Sequence, residues 1–249
     1  MKLLVRWFFL CVLAMTALQL YFVLRIALMA VWNPESTAFQ RSEIWQVVAR
    51  TGELRWRLEW VNYDRISKNL KRAVIASEDD GFSQHDGVDW DALEKAWEKN
   101  AKAEKRAEAR QSSSARSGKA KAPAKAPKVV GGSTITQQLA KNLFLSGERN
   151  LLRKGQEFVF TLTLEALLSK ERILEIYLNN VEWGEGIFGA EAAARHYFRK
   201  PAAQLSAFEA ARLAVMLPRP KYFEKNSSSA YLMHRAGIIT ARMGDARLP

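Results

Sequence analysis

From Trp7 to Leu24 the chain runs without a single charged residue. A helix needs ~20 apolar residues to cross the hydrocarbon core of a bilayer, and ~17 suffice. Arg25 stops the run, and Ile26 to Trp32 resume it, so a tilted helix would carry one cation near an interface with Trp32 as its aromatic anchor. A buried core helix is the bland alternative, and the segment lacks the polar face such a helix shows. Lys2 and Arg6 precede the run, which biases the N-terminus toward the cytoplasm and the remainder outward. A cleaved signal peptide is the competing reading, but its apolar stretch is usually ~7–15 residues and ends in an A-x-A site, and neither holds here. The expected organisation is an anchor over 1–33 and an exported domain over 34–249.

The length of 249 residues leaves room beyond the anchor for one compact domain, and 48% hydrophobic residues can supply its core. Cys11 is the single cysteine, which excludes an internal disulfide, and His85, His196 and His234 show no zinc-ligand spacing. The formal net charge is +12, and residues 98–128 contribute +7 of it through ten Lys/Arg against three Glu. That stretch has no large apolar residue and cannot build a core. Its first part, to about Arg110, can prolong a helix, and the Ser, Gly and Ala-Pro-Lys steps beyond read as flexible linker. Nucleic acid is not the expected partner, because no aromatic side chains interleave with the cations and the domain is exported. A solvated insertion fits better, with contact to anionic lipid headgroups a second use for the charge.

Elsewhere apolar spacing predicts helices over 66–78, 86–98, 151–168, 170–180 and 201–217, the last ended by Pro218. Strand-like alternation occurs only over 53–61, where Leu54, Trp56, Leu58 and Trp60 would share a face. The fold class is therefore mainly α.

Three segments could carry chemistry. Glu78 to Asp89 (EDDGFSQHDGVD) crowds five carboxylates, His85 and two glycines behind the apolar AVIAS. Like-charge repulsion and desolvation raise at least one pKa in such a cluster, as a general base near neutral pH requires. The alternative is a helix end running into an acidic turn, broken by Gly81 and Gly87 and capped by His85. Gly131 to Asn142 (GGSTITQQLAKN) joins a glycine hinge to a helix with two adjacent glutamines. Its free N–H groups, hydroxyls and Lys141 suit an anionic oxygen. An ordinary N-cap explains Ser133 or Thr134 but not the doubled Gln137 and Gln138. In the third segment Arg149 precedes Arg153, Lys154 and Glu157, which share a helix face. Surface ion pairs and a cradle for a diphosphate leaving group are equally consistent with that spacing.

The order and combination of these segments resembles the bacterial peptidoglycan glycosyltransferases of glycosyltransferase family 51, most closely their membrane-anchored monofunctional members. The similarity covers about Ala73 to Pro220. EDDGFSQHDG looks like the first family motif, GGSTITQQLAKN the second, RKGQE (Arg153 to Glu157) the third and KERILEIYLN (Lys170 to Asn179) the fourth, with AFEAARLAVMLPRP (Ala207 to Pro220) a weaker fifth. The resemblance implies a lysozyme-like, two-lobed helical domain whose smaller lobe dips into the outer leaflet. It implies inverting transfer that polymerises lipid II into β-1,4 glycan and releases undecaprenyl diphosphate.

In that family frame Glu78 matches the catalytic glutamate and Glu157 a second one, which positions cations or holds a divalent ion such as Mg or Mn near the diphosphate. Lys141, Arg149, Arg153 and Lys154 match cationic positions, and Ser133, Thr134, Gln138 and Asn142 hydrogen-bonding ones. Asp79, Phe82 and His85 of the first motif join them as substrate-binding positions. The implied partners are lipid II, the growing lipid-linked strand, the inner membrane and other wall-synthesis or division proteins. The implied setting is a single pass through the inner membrane with a periplasmic domain. Two departures stand out: the basic insertion lengthens a region the family uses as a flap, and Gln156 stands where some members have lysine. Nothing resembles a transpeptidase, so no peptide crosslinking is expected. A lysozyme-like hydrolase and an inactive membrane scaffold are the alternative functions.

Overall fold

The computed structural model describes residues 2–116, 132–145 and 151–249. Helix dominates, as the periodicity predicts. The uncharged run lies in helix α1 (Lys2–Leu28), long and apolar enough to cross a membrane and with none of its span buried inside the protein. It docks on the domain only at its C-terminal end. There Phe22 packs edge-on against Phe144 and Phe160, and Ile26 and Met29 are buried. Arg172 then clamps the exit, donating from Nε to the Met29 carbonyl at 2.7 Å and from its terminal nitrogen to Trp32 O and Asn33 Oδ1. Arg25 lies over the Phe144 ring, 5.8 Å from its centroid, so the one cation that interrupts the apolar run rests on an aromatic face.

Helix α2 (Ala38–Thr51) begins in a capping box between Thr37 and Gln40. Strand β1 (Arg57–Leu58) follows, and then α3 (Lys68–Glu78), capped by Ser67, delivers Glu78 as its last residue. The alternation predicted over 53–61 pairs at two residues only. β1 runs parallel to β3 (Ile187–Phe188), β3 is antiparallel to β2 (Glu182–Gly184), and Leu54, 72% exposed, shares no buried face with Trp56. A two-residue partner offers no ladder to extend.

Helix α4 (Trp90–Arg116) starts four residues later than the pattern over 86–98 suggests and continues six residues past Arg110, through the serines at 112–114. Once nucleated, a helix adds residues at little further cost. The rest of the insertion, Arg149 and Gly131 lie outside the described residues. After α5 (Ile135–Phe144), α6 (Leu151–Leu167) and α7 (Lys170–Asn180) come α8 (Ala190–Phe198), α9 (Ala207–Met216), α10 (Pro220–Lys225) and α11 (Ala230–Arg242). The helix predicted over 201–217 is divided. Ala202–Gln204 forms one 3-10 turn, and Ser206 then opens α9 with a capping box to Glu209, which a continuous helix could not accommodate.

The helices pack in two groups. α3, α9 and α11 lie against one another, and α5 packs on α2, α6 and α7. Gly87 joins the first motif to the second group. Its φ is +85°, and a Cβ there would stand 2.7 Å from Thr161 Cγ2 and 2.8 Å from Glu165 Cγ on α6, so both the backbone and the space demand glycine.

Candidate active site

The end of α3 and the start of α5 are stitched together by the residues between Glu78 and Gly87. Asp79 is buried, and its Oδ2 accepts the Ile135 N–H at 2.9 Å, which satisfies an orphan donor in the first turn of α5. Its Oδ1 lies 2.8 Å from His85 Nε2, while His85 Nδ1 accepts the Gly87 N–H; Nε2 is therefore the protonated nitrogen. Thr134 donates to the Gly87 carbonyl at 2.6 Å and forms a capping box with Gln137. Phe82 is 0% exposed, with the Lys170 ammonium over its ring.

These contacts revise four of the sequence assignments. Phe82 has no surface to offer a substrate. Asp79, His85 and Thr134 spend polar atoms on one another and on backbone, which gives them a positioning task, although Asp79 and Thr134 also line the cavity beside Glu78. His85 does not cap α3. Gln137 is explained by its capping box, which leaves Gln138 as the glutamine with a different task.

Gln138 Nε2 donates to Glu78 Oε2 at 3.1 Å, and the Tyr177 hydroxyl donates to Gln138 Oε1 at 3.0 Å, which fixes which end of the amide faces the carboxylate. Glu78 is half-buried. Burial pushes its carboxyl up from the ordinary range and the Asp79 charge adds to this, while hydrogen bonds from Gln138 and Ser77 pull it down. Desolvation outweighs the like-charge repulsion that the crowded sequence suggests. Tyr177 was not singled out by sequence reasoning; its place in YLNN on α7 gave no sign of a polar partner.

Two cavities adjoin here, one lined by Glu78 and the other by its partner Gln138. One, of about 290 Å³, is lined by Glu78, Asp80, Asp89 and the cleft-facing side of α4. The other, of about 350 Å³, is lined by Gln138, Lys141, Asn142, Arg153, Lys154 and Glu157, with Phe39 of α2 at its edge. Ser133 lines both. Glu157 is only 4% exposed and Arg153 half-buried, while Lys154 reaches the pair from the exposed side. Glu157 Oε2 lies 3.4 Å from Arg153 and its Oε1 is held by Lys154, which fixes both cations toward the second cavity. Gln156 is exposed and does not line it.

Among the described residues, the second cavity leaves no carboxylate oxygen over for a divalent ion. Both Glu157 oxygens are engaged by cations. Asp79, His85 and Asp89 lie close together, but Asp79 is committed as described and Asp89 Oδ1 caps α4 through the Ala92 N–H. What the arrangement can do is take a proton at Glu78 beside a fixed cluster of positive charge, the pairing that group transfer from an anionic leaving group needs.

Comparison with known proteins agrees. The family model described as Transglycosylase matches residues 46–114 and 112–244, the two stretches meeting inside the basic insertion. The biosynthetic peptidoglycan transglycosylase of Herminiimonas arsenicoxydans is 52% identical over 238 residues, covering 96% of this chain and 94% of that protein. The protein of the same name from Burkholderia thailandensis is 53% identical over 236 residues, covering 95% and 84%. With the family model spanning nearly all of the helical domain and relatives this similar along almost their whole length, the chain belongs to the transglycosylase family.

Proposed function

We propose that the chain polymerises lipid II into linear β-1,4 glycan strands of peptidoglycan, with the growing strand as donor and lipid II as acceptor. The relatives' names support the product class. The observation that carries the reaction is the half-buried, desolvated Glu78, which lines one cavity and is hydrogen-bonded to Gln138 of the adjoining cationic one.

A sugar hydroxyl is a weak nucleophile until a base takes its proton. Glu78 accepts the proton of the acceptor 4-hydroxyl as O4 bonds to the donor anomeric carbon. The bond from that carbon to the diphosphate oxygen breaks, its electron pair leaves with undecaprenyl diphosphate, and the α linkage becomes β. Lys141, Arg153 and Lys154 receive the departing charge, with Glu157 holding the last two in place. Ser133, Gln138 and Asn142 offer hydrogen bonds to diphosphate or sugar. A diphosphate leaves as a stabilised anion, so no second carboxylic acid is required, and no step is assigned to a divalent ion.

The uncharged run within α1, with Lys2 and Arg6 before it, supports a single-pass inner-membrane protein, N-terminus cytoplasmic and domain periplasmic. The full chain in detergent should extend labelled lipid II, and Glu78→Gln should cut the rate by about 10²–10⁴-fold, the typical contribution of a general base. Unchanged chain growth in that variant would remove Glu78 from the mechanism. No growth by the unsubstituted chain would favour the scaffold, and soluble sugar released from finished wall without lipid II the hydrolase.

A further inference from the structure

Joining two lipid-linked sugars brings two polyanions to one carboxylate, and the Lys141, Arg153 and Lys154 cradle accounts for one of them. The cavity that Glu78 itself lines holds a second set of cations. Ala92 and Ala96 of α4 form part of its wall, and Lys95 and Lys99, one turn apart, stand beside them. The carboxylates that share this cavity are already engaged. Asp79 bonds His85 and the Ile135 N–H, Asp89 bonds the Ala92 N–H, Asp80 pairs with Arg242 at 3.1 Å, and Glu78 takes Gln138. Among the described residues Lys95 and Lys99 have no ion-pair partner, whereas Lys102, the next lysine along α4, is paired with Glu98.

We propose that Lys95 and Lys99 bind the acceptor, gripping the anionic groups of the incoming lipid II while its 4-hydroxyl lies at Glu78. The assignment rests on the polymerase reading and on proximity. The leaving diphosphate is bonded to the reacting carbon and belongs in the cradle that Gln138 shares, whereas the acceptor's charges sit a disaccharide away from its nucleophilic oxygen and need a separate hold. Two chemistries on the acceptor suit ammonium groups: its diphosphate and the carboxylates of its peptide.

The experiment uses the full chain in detergent, a labelled lipid-linked tetrasaccharide whose terminal 4-hydroxyl is blocked so that it serves only as donor, and lipid II as varied acceptor. Lys95→Gln with Lys99→Gln should raise the acceptor KM about tenfold, leaving kcat and the donor KM within about twofold, the pattern of lost binding that is uniform along the reaction. Lys95→Arg with Lys99→Arg should restore the acceptor KM, and Lys102→Gln should leave it unchanged. With peptide-free lipid II as acceptor, a persisting tenfold difference assigns the lysines to the diphosphate, and its disappearance assigns them to the peptide carboxylates. An unchanged acceptor KM in the double Gln variant, or a rise in donor KM instead, overturns the proposal while the polymerase reading stands. No transfer by the unsubstituted chain defeats that reading and takes this proposal with it.

Discussion

At the scale of single residues the site depends on one amide. Gln138 stabilises the charged form of Glu78, and Tyr177 holds Gln138 in the orientation that does so. Because protonated Glu78 cannot act as a base, the acid limb of kcat/KM should lie above the ordinary carboxylate range. Gln138→Met, or Tyr177→Phe to a smaller degree, removes a contact that favours the anion and should move that limb to still higher pH. A pH–rate profile on lipid II checks this, and a shift to lower pH would contradict it. Glu78 was legible in the sequence because carboxylates behind an apolar helix face are unusual. The tasks of Gln137 and Gln138 were not, since adjacent identical side chains point about 100° apart on a helix, one to its own N-terminus and one to the base. Phe82 misled for a related reason: a motif residue reads the same whether it touches substrate or holds the loop that does.

At the scale of elements, what matters is how α1 meets the domain. Arg172 donates three hydrogen bonds to the turn that follows α1 and stacks near Trp60, and bonds from a charged donor contribute about 1.5–3 kcal/mol each. Arg172→Ala should speed limited proteolysis between Met29 and Ser36 at least tenfold, about 1.4 kcal/mol of local opening, with helix content unchanged by circular dichroism. Unaltered cleavage would mean that the Phe22 contacts alone hold the junction. The long apolar helix itself was plain in the sequence because its run of residues without charge is unbroken. Helix α2 was missed although its cap, Thr37 with Gln40, is written as T-x-x-Q; a weak apolar stripe hid the signal. The two-residue β1 was over-read as a strand over 53–61 because alternation marks a face and not a partner.

For the whole molecule, pH couples to stability through a buried carboxyl that lines neither cavity. Burial pushes Glu182 up to about 8, the Glu43 and Glu224 charges add, and Lys221 opposes. Lys221 lies 3.7 Å from it, beyond hydrogen-bonding distance, and is held instead by Glu43. A carboxyl raised in the fold keeps its proton there while the unfolded chain has lost it. This contribution is therefore full below the unfolded value and declines as pH rises toward 8. Glu182→Gln, which imitates the protonated form, should match the parent chain at about pH 4 and exceed it at about pH 8.5, each kcal/mol gained raising Tm by about 2–4 °C. Equal melting curves at both pH values would refute the buried charge. No reading of the sequence brought Glu182, Glu43 and Lys221 together, because their proximity is a product of tertiary packing; the same holds for the meeting of the two cavities at Ser133.

The clamp on α1 also governs how the molecule travels. Phe22 and Arg172 tie the mast to the body, so the two turn together. On the single-pass reading proposed above, each fresh monomer reaches the machine by two-dimensional drift through the lipid, and the polymer it extrudes pulls on the mast itself.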